Sequence, residues 1–353
     1  MKNKKLLSSF LTITLALSSA TTIGVVVSEA KTSADFTDLK DLDEATKSKF
    51  DALIAAGIFD GVSDSSFGIK DEMNRAQFAK VAALIFNLKV DQSITTSSFT
   101  DVPSDSYALP YIEALKVAGI TTGTTPTTFN PAGNVTKEQL ATFLVRGLGM
   151  ENEAQNFQGS IDNTVSDWAQ GYVALALENK LLAANADGGF GGRKPAVRDQ
   201  LASGAFESKK MVEILQPLEV SGAEFMLGNN LKLTLTTQID SASIDLSKIT
   251  INGVPLDSKL DSFDLSEDKK TIIIKLHNGF QLDSAKKPVI VVNGLKTLFG
   301  NEVKNNGEVP IPVKVTEAPN KPNPKPPVEQ PNNPNPEQPV EQPNNPNPEP
   351  PVE

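Results

Sequence analysis

The chain has no cysteine, one histidine, one tryptophan and fewer basic than acidic residues. Without cysteine there is no thiol catalysis, no thiolate metal site and no disulfide framework, so any fold must be held by hydrophobic cores. The lone histidine, His277, stands beside the turn dipeptide Asn278-Gly279. A general base needs a partner and a cleft, and the sequence offers it neither, so it reads as a surface residue. The count of 33 Lys+Arg against 43 Asp+Glu gives a net charge of −10, which argues against a nucleic-acid partner, because phosphate binding needs a basic face. An anionic ligand would have to be held in local cationic pockets. Nothing in the sequence calls for a cofactor or a metal.

Long apolar runs are also scarce, and the one near the start reads as an export signal. Lys2, Lys4 and Lys5 precede the run from Leu6 to Val27, and Ser28-Glu29-Ala30 offers a small-residue cleavage site, so residues 1–30 are expected to be removed. No later stretch is apolar enough to cross a bilayer, so no membrane contact is expected after cleavage.

What is present is a repeat. Phe67, Phe129 and Phe190 recur at spacings of 62 and 61, as do Arg75, Lys137 and Arg198, Gln77, Gln139 and Gln200, and Ala79, Ala141 and Ala202. Each copy reads as helix, loop, helix. Phe50, Leu53 and Ala56 stripe the first helix of copy one; Ile112, Leu115 and Ala118 stripe that of copy two, and Val173 and Ala176 that of copy three. The second helices open on Asn74-Arg-Ala-Gln77, Thr136-Lys-Glu-Gln139 and Val197-Arg-Asp-Gln200. Asn74 and Thr136 are capping residues, and a glutamine three positions on completes a capping box. Val197 has no capping oxygen, so the third helix start should be weaker. Capping does not explain a cation in the first turn of all three copies, where the helix dipole disfavours it. A cation set against that gradient suggests a bound anion, to which free N–H groups at the helix start would add.

From about residue 35 to 212 the chain resembles the S-layer homology (SLH) family in three tandem copies. The resemblance is carried by Phe99-Thr-Asp-Val-Pro103, Gly119-Ile120, Gly123, Phe129-Asn-Pro131 and Thr136-Lys-Glu-Gln139 in copy two. Copy one matches through Phe36-Thr-Asp38, Gly57-Ile58, Gly61, Phe67 and Asn74-Arg-Ala-Gln77, and copy three through Asp162, Trp168-Ala169, Phe190 and Val197-Arg-Asp-Gln200. The resemblance implies a pseudo-threefold helical prism whose inter-repeat grooves bind secondary cell-wall polysaccharide, in many members through a pyruvylated sugar. It further implies that Arg75, Lys137 and Arg198 face the ligand carboxylate, as suits a guanidinium fork. Asp38, Asp101 and Asp162 would accept from sugar hydroxyls, Tyr107 and Trp168 would wall the ring, and Gly61 and Gly123 would let the backbone approach. There are departures. The family's glutamate at the fourth motif position is glutamine in all copies; copy one has Ala45 in the aromatic's place, and copy three has Ala184 in the glycine's. One or two working grooves are therefore expected.

After Pro217 the apolar period falls to two. Leu231, Leu233 and Leu235 alternate with polar residues; Ile272, Ile274 and Leu276 form a second such run; residues 288–292 and 309–316 read as further strands. Turn dipeptides such as Asn252-Gly253 separate them, so residues 216–316 read as an all-β sandwich. Ile249-Thr-Ile-Asn-Gly253, the turn before Thr271 and Phe299-Gly-Asn301 resemble bacterial Ig-like modules. Residues 317–353 hold fourteen of the 24 prolines and read as a disordered, extended spacer.

The expected organisation is a signal peptide (1–30), three repeats (31–93, 94–152, 153–215), an Ig-like sandwich (216–316) and a spacer (317–353). The expected role is non-enzymatic attachment of a secreted protein to the wall. A self-assembling surface-lattice subunit and, less favoured, a wall hydrolase are the alternatives. A further surface protein could pair with the β-module or spacer.

Overall fold

The computed structural model describes residues 31–282, 287–303, 305, 311 and 313–315. The expected signal peptide and spacer lie outside the described residues. Within them the first half is helical: α1 (Glu44–Ala55), α2 (Arg75–Ile85), α3 (Leu109–Val117), α4 (Lys137–Gly147), the short α5 (Glu151–Gln155), α6 (Gln170–Glu178) and α7 (Arg198–Ile214).

Three of these helices start as the sequence indicates. Asn74 Oδ1 accepts the Gln77 N–H at 2.8 Å, and Gln77 Oε1 accepts the Asn74 N–H at 3.2 Å. Thr136 and Gln139 repeat the pair at 3.3 and 3.2 Å. At Val197 only the return bond from its N–H to Gln200 survives, at 3.4 Å. The first helices of all three copies end alike. The amides of Ile58, Ile120 and Leu181 bond back to the carbonyls of Leu53, Leu115 and Ala176 at 2.8–3.0 Å. This closure needs a left-handed residue just before each amide. Gly57 and Gly119 supply it at φ +67° and +71°, but the third position is Lys180 at φ +57°. Ala56 and Ala118, read from the sequence as stripe positions, are instead the C-cap residues, and Ala118 is exposed.

The three copies close into a ring. The first amide of each second helix bonds to a loop carbonyl of the next copy: Arg75 N to Gly133 O, Lys137 N to Lys194 O and Arg198 N to Asp71 O, each 2.9 Å. Single antiparallel bridges join Asn74 with Asn134, Thr136 with Pro195 and Glu72 with Val197, so the third copy returns to the first. Phe36, Phe50, Phe67, Phe78, Phe99, Phe129 and Phe190 are all buried in one shared core. Packing of α1 on α7 completes the circuit.

The β-module has two sheets. One orders its strands β5 (Ser262–Leu265), β6 (Thr271–Lys275), β2 (Asn230–Leu235), β1 (Val220–Met226) and β8 (Val313–Val315). The other orders β4 (Val254–Pro255), β3 (Ile249–Ile251) and β7 (Ile290–Val292). Leu231, Leu233, Ile272 and Ile274 of the first sheet and Ile249, Ile251, Ile290 and Val292 of the second share one buried cluster. The module also touches the helical ring. Phe299 is buried in the helical core, its ring 5.4 Å from that of Phe206 on α7.

Lys180 carries a side chain where the closure favours glycine, at a steric cost of about 1–2 kcal/mol that glycine's larger unfolded-state entropy partly cancels. Lys180→Gly should therefore raise unfolding stability by about 0.5–1 kcal/mol in a urea titration, whereas Gly119→Lys should lower it.

Candidate functional site

The repeated cations lie inside the ring, at its joints. Arg75, Lys137 and Arg198 are 3%, 4% and 8% exposed. Each reaches into the next copy and donates to the carbonyl of the repeated phenylalanine. Arg75 Nε bonds Phe129 O at 2.7 Å, Lys137 Nζ bonds Phe190 O at 2.5 Å and Arg198 Nε bonds Phe67 O at 3.0 Å. Each also lies over the ring of that phenylalanine, 4.5, 4.7 and 4.8 Å from its centroid. Second bonds go from Lys137 to Asn185 Oδ1 (2.8 Å) and from Arg198 Nη2 to Asp60 O (2.6 Å). Among the described residues no carboxylate lies within ion-pair distance of any of the three. Burial accordingly pushes the Arg75 guanidinium down to about 10, and lowers Lys137 and Arg198 as well. The helix-start amides expected to be free for an anion are not free, because loop carbonyls of the next copy have taken them.

The aspartates face the same loops. Asp38 accepts the N–H groups of Phe67, Gly68 and Ile69 at 2.8–2.9 Å. Asp101 accepts those of Phe129 and Asn130 (2.8 and 2.7 Å), and Asp162 that of Phe190 (2.7 Å). Partial burial pushes the Asp38 carboxyl up, but its backbone bonds outweigh this and hold it below the usual range. Asp162 is lowered chiefly by the Thr164 hydroxyl. The glycines also have internal reasons to be glycine. A Cβ at Gly61 would strike the Phe36 ring; one at Gly123, at φ +88°, would fall 2.5 Å from the carbonyls of Thr125 and Thr128. Tyr107 and Trp168 are 60% and 55% exposed.

These residues come together unequally. A groove of about 350 Å³ is lined by Arg75, Thr121, Gly123, Gln139, Arg146 and Trp168. It thus draws on all three copies. A second, of about 330 Å³, holds Lys137 with Ala184, Asn185, Asp199 and Gln200 and has no aromatic wall. A third hollow lies over Phe36, Asp60 and Gly61, below which Arg198 is tied to Asp60. Tyr107 lines none of the three. Arg146 was not singled out from the sequence. It is held by Glu151 at 2.5 and 3.1 Å and by Tyr172 at 3.2 Å. The signal that could have found it is the polar stripe Gln139, Thr142, Arg146 on one face of α4.

His277 is not the solitary surface residue the sequence suggests. Its Nδ1 lies 2.8 Å from Asp261 Oδ1, and the Asp261 side chain is fully buried. The partner is sixteen residues away in sequence, beyond the reach of local pattern.

Comparison with known proteins agrees with the repeat. The family model described as "S-layer homology domain" matches residues 35–79 and 98–141. The chain is 30% identical over 115 residues to an endoglucanase of Bacillus sp. (strain KSM-635), covering 33% of this chain and 12% of that protein. It is 23% identical over 167 residues to the surface-layer 125 kDa protein of Lysinibacillus sphaericus, covering 47% and 14%. With the S-layer protein of Bacillus licheniformis the identity is 26% over 230 residues, covering 64% and 25%. Among solved structures, the N-terminal part of the bacterial S-layer protein SbsC aligns at 16% identity and a TM-score of 0.25, over 64% of this chain and 48% of that one. That likeness is too slight to carry an argument. The chain carries S-layer homology domains over the two matched segments and is a cell-surface, cell-wall-associated protein.

The depressed carboxyls of Asp38 and Asp162 stabilise the ring above the ordinary aspartate range, and that contribution is lost as pH falls through their lowered values. Asp38→Asn should lower the melting temperature at neutral pH and flatten the acid limb of the pH–stability curve measured by calorimetry.

Proposed function

We propose that the chain anchors non-covalently to secondary cell-wall polysaccharide through the inter-repeat grooves, and that residues 153–215 form a third repeat of the same family. The observation that carries this reading is the trio of buried cations with no carboxylate within ion-pair distance, at least two of which line open grooves, although aspartates act on each from farther off. A buried cation held only by carbonyls and ring faces keeps a substantial attraction for an anion. A sugar carboxylate in the groove would supply the missing charge, most favourably against the planar fork of an arginine.

The Arg75 groove is the most complete. Arg75 offers the guanidinium, Trp168 an apolar wall, Gly123 a low floor, and Thr121, Thr122, Thr124 and Thr142 a set of hydroxyls. In the Lys137 groove the Nζ already has two acceptors, and Asp199 adds a negative charge to the lining. Arg198 contributes at the joint beneath Asp60 and Gly61, and Tyr107 walls the sugar only if the ligand extends beyond that hollow. Asp38, Asp101 and Asp162 act at one remove, by holding the phenylalanine loops to which the cations bond. The β-module, of Ig-like type, and the spacer would carry the site outward or meet a further surface protein. The chain is read as an anchor and not as an enzyme.

The test is sedimentation of the mature chain with purified walls before and after extraction of the secondary polymer. Binding should vanish with the polymer. Arg75→Ala should cost about 2–5 kcal/mol of polymer affinity and, because the residue also closes the ring, should lower the melting temperature. Trp168→Ala should weaken binding and leave the melt nearly unchanged. Equal pelleting with extracted walls would overturn the reading. The second reading, a lattice subunit, is favoured by the surface-layer proteins among the relatives; gel filtration showing large assemblies would support it instead.

A further inference from the structure

A buried carboxyl sits where the β-module meets α7. Glu213 is 2% exposed. Its Oε2 accepts from Asn301 Nδ2 at 3.2 Å, its Oε1 accepts from Thr237 Oγ1 at 3.3 Å, and Thr297 adds a further side-chain bond. Asn301 also bonds Lys210 O at 3.0 Å, and the Phe206–Phe299 contact lies in the same interface. Both sides therefore converge on one acidic group that has neutral partners from the module. The charged group acting on it is Lys209, one turn earlier on α7. Lys209 is itself buried and committed elsewhere, to Asn87 Oδ1 at 2.5 Å and Leu84 O at 3.4 Å, and Lys270 of the module also acts on it. No ion pair joins Lys209 and Glu213 among the described residues.

We propose that Glu213 makes the joint between the third repeat and the β-module acid-tightened: the module is clamped while this carboxyl is protonated and loosens as it ionises. The hydroxyl and amide donors and the distant Lys209 favour the ionised form, but its desolvation with no cation in contact outweighs them, and the neutral form escapes that penalty. Burial raises the Glu213 carboxyl above the usual range. In the undocked state the group meets water and titrates in the ordinary glutamate range. The docked state therefore holds the proton more tightly. Docking is fully stabilised below the ordinary glutamate range and loses that contribution as pH rises through the raised value. This window lies above the one in which Asp38 and Asp162 destabilise the ring, so the two effects are separable.

The experiment is amide hydrogen exchange of the mature chain at about pH 5 and about pH 8, corrected for intrinsic rates and read at Phe299–Asn301. Wild type should be protected at least several-fold more at the lower pH. Glu213→Gln keeps an acceptor and a donor without a charge, so it should show one protection level at both values, near that of wild type in acid. Phe299→Ala should lose protection at both. Equal wild-type protection at the two pH values would overturn the proposal. So would a folded Glu213→Gln variant whose joint is loosened equally at both. The wild-type comparison alone decides the matter if the variant does not fold.

Discussion

Each repeat places one cation on the backbone carbonyl of a phenylalanine in the next, and the helical half of the molecule is arranged around that contact. Removing a guanidinium or ammonium group from water costs several kcal/mol even after relaxation. Here the charge is met by a carbonyl oxygen and the face of the same residue's ring. For the contact to form, the phenylalanine loop must be fixed, and an aspartate from its own copy fixes it by accepting the loop's amides. The helix that carries the cation must also start at the joint, where its first amides find the neighbour's carbonyls. Three different columns of the sequence repeat, aspartate, phenylalanine and cation, are thus parts of one device used three times.

Because the device closes on itself, the proposed binding residues are also residues that hold the fold together. Aspartates act on each buried cation only from beyond ion-pair distance, and this leaves an attraction that the proposed anionic ligand would use. The copies have not diverged equally. Where the cation remains arginine and the aromatic of another copy survives, as at Arg75 with Trp168, the groove keeps all its parts. Where lysine and Ala184 stand, the joint is kept and the groove has no aromatic wall.

The repeat, its helix starts and the alternating strands were legible because each depends on local chemistry. Asn74 with Gln77 is a capping pair wherever it occurs, and Leu231, Leu233 and Leu235 can bury together only on one face of a strand. The sequence also pointed to the cations, but for one reason out of two. The helix dipole showed that they were out of place, and could not show that a carbonyl 53, 54 or 131 residues away was waiting for them. Strand β1 was missed because its register shifts between Val220 and Gly222, so the buried Val220, Ala223 and Phe225 do not alternate strictly. The Asp261–His277 pair, the polar face ending in Arg146 and the burial of Phe299 against α7 all depend on which segments meet, which no local pattern records.

The joint at Glu213 extends the same logic to the boundary between the helical ring and the β-module, where a buried ionisable group again lacks an opposite charge in contact. Calorimetry with purified wall polymer tests most directly whether the buried cations of the ring, which have no carboxylate within ion-pair distance, take up one from the ligand. Polymer with its carboxylate groups intact should bind the mature chain, and the same polymer stripped of those groups should lose most of its affinity. Equal affinity for the two polymers would contradict the account.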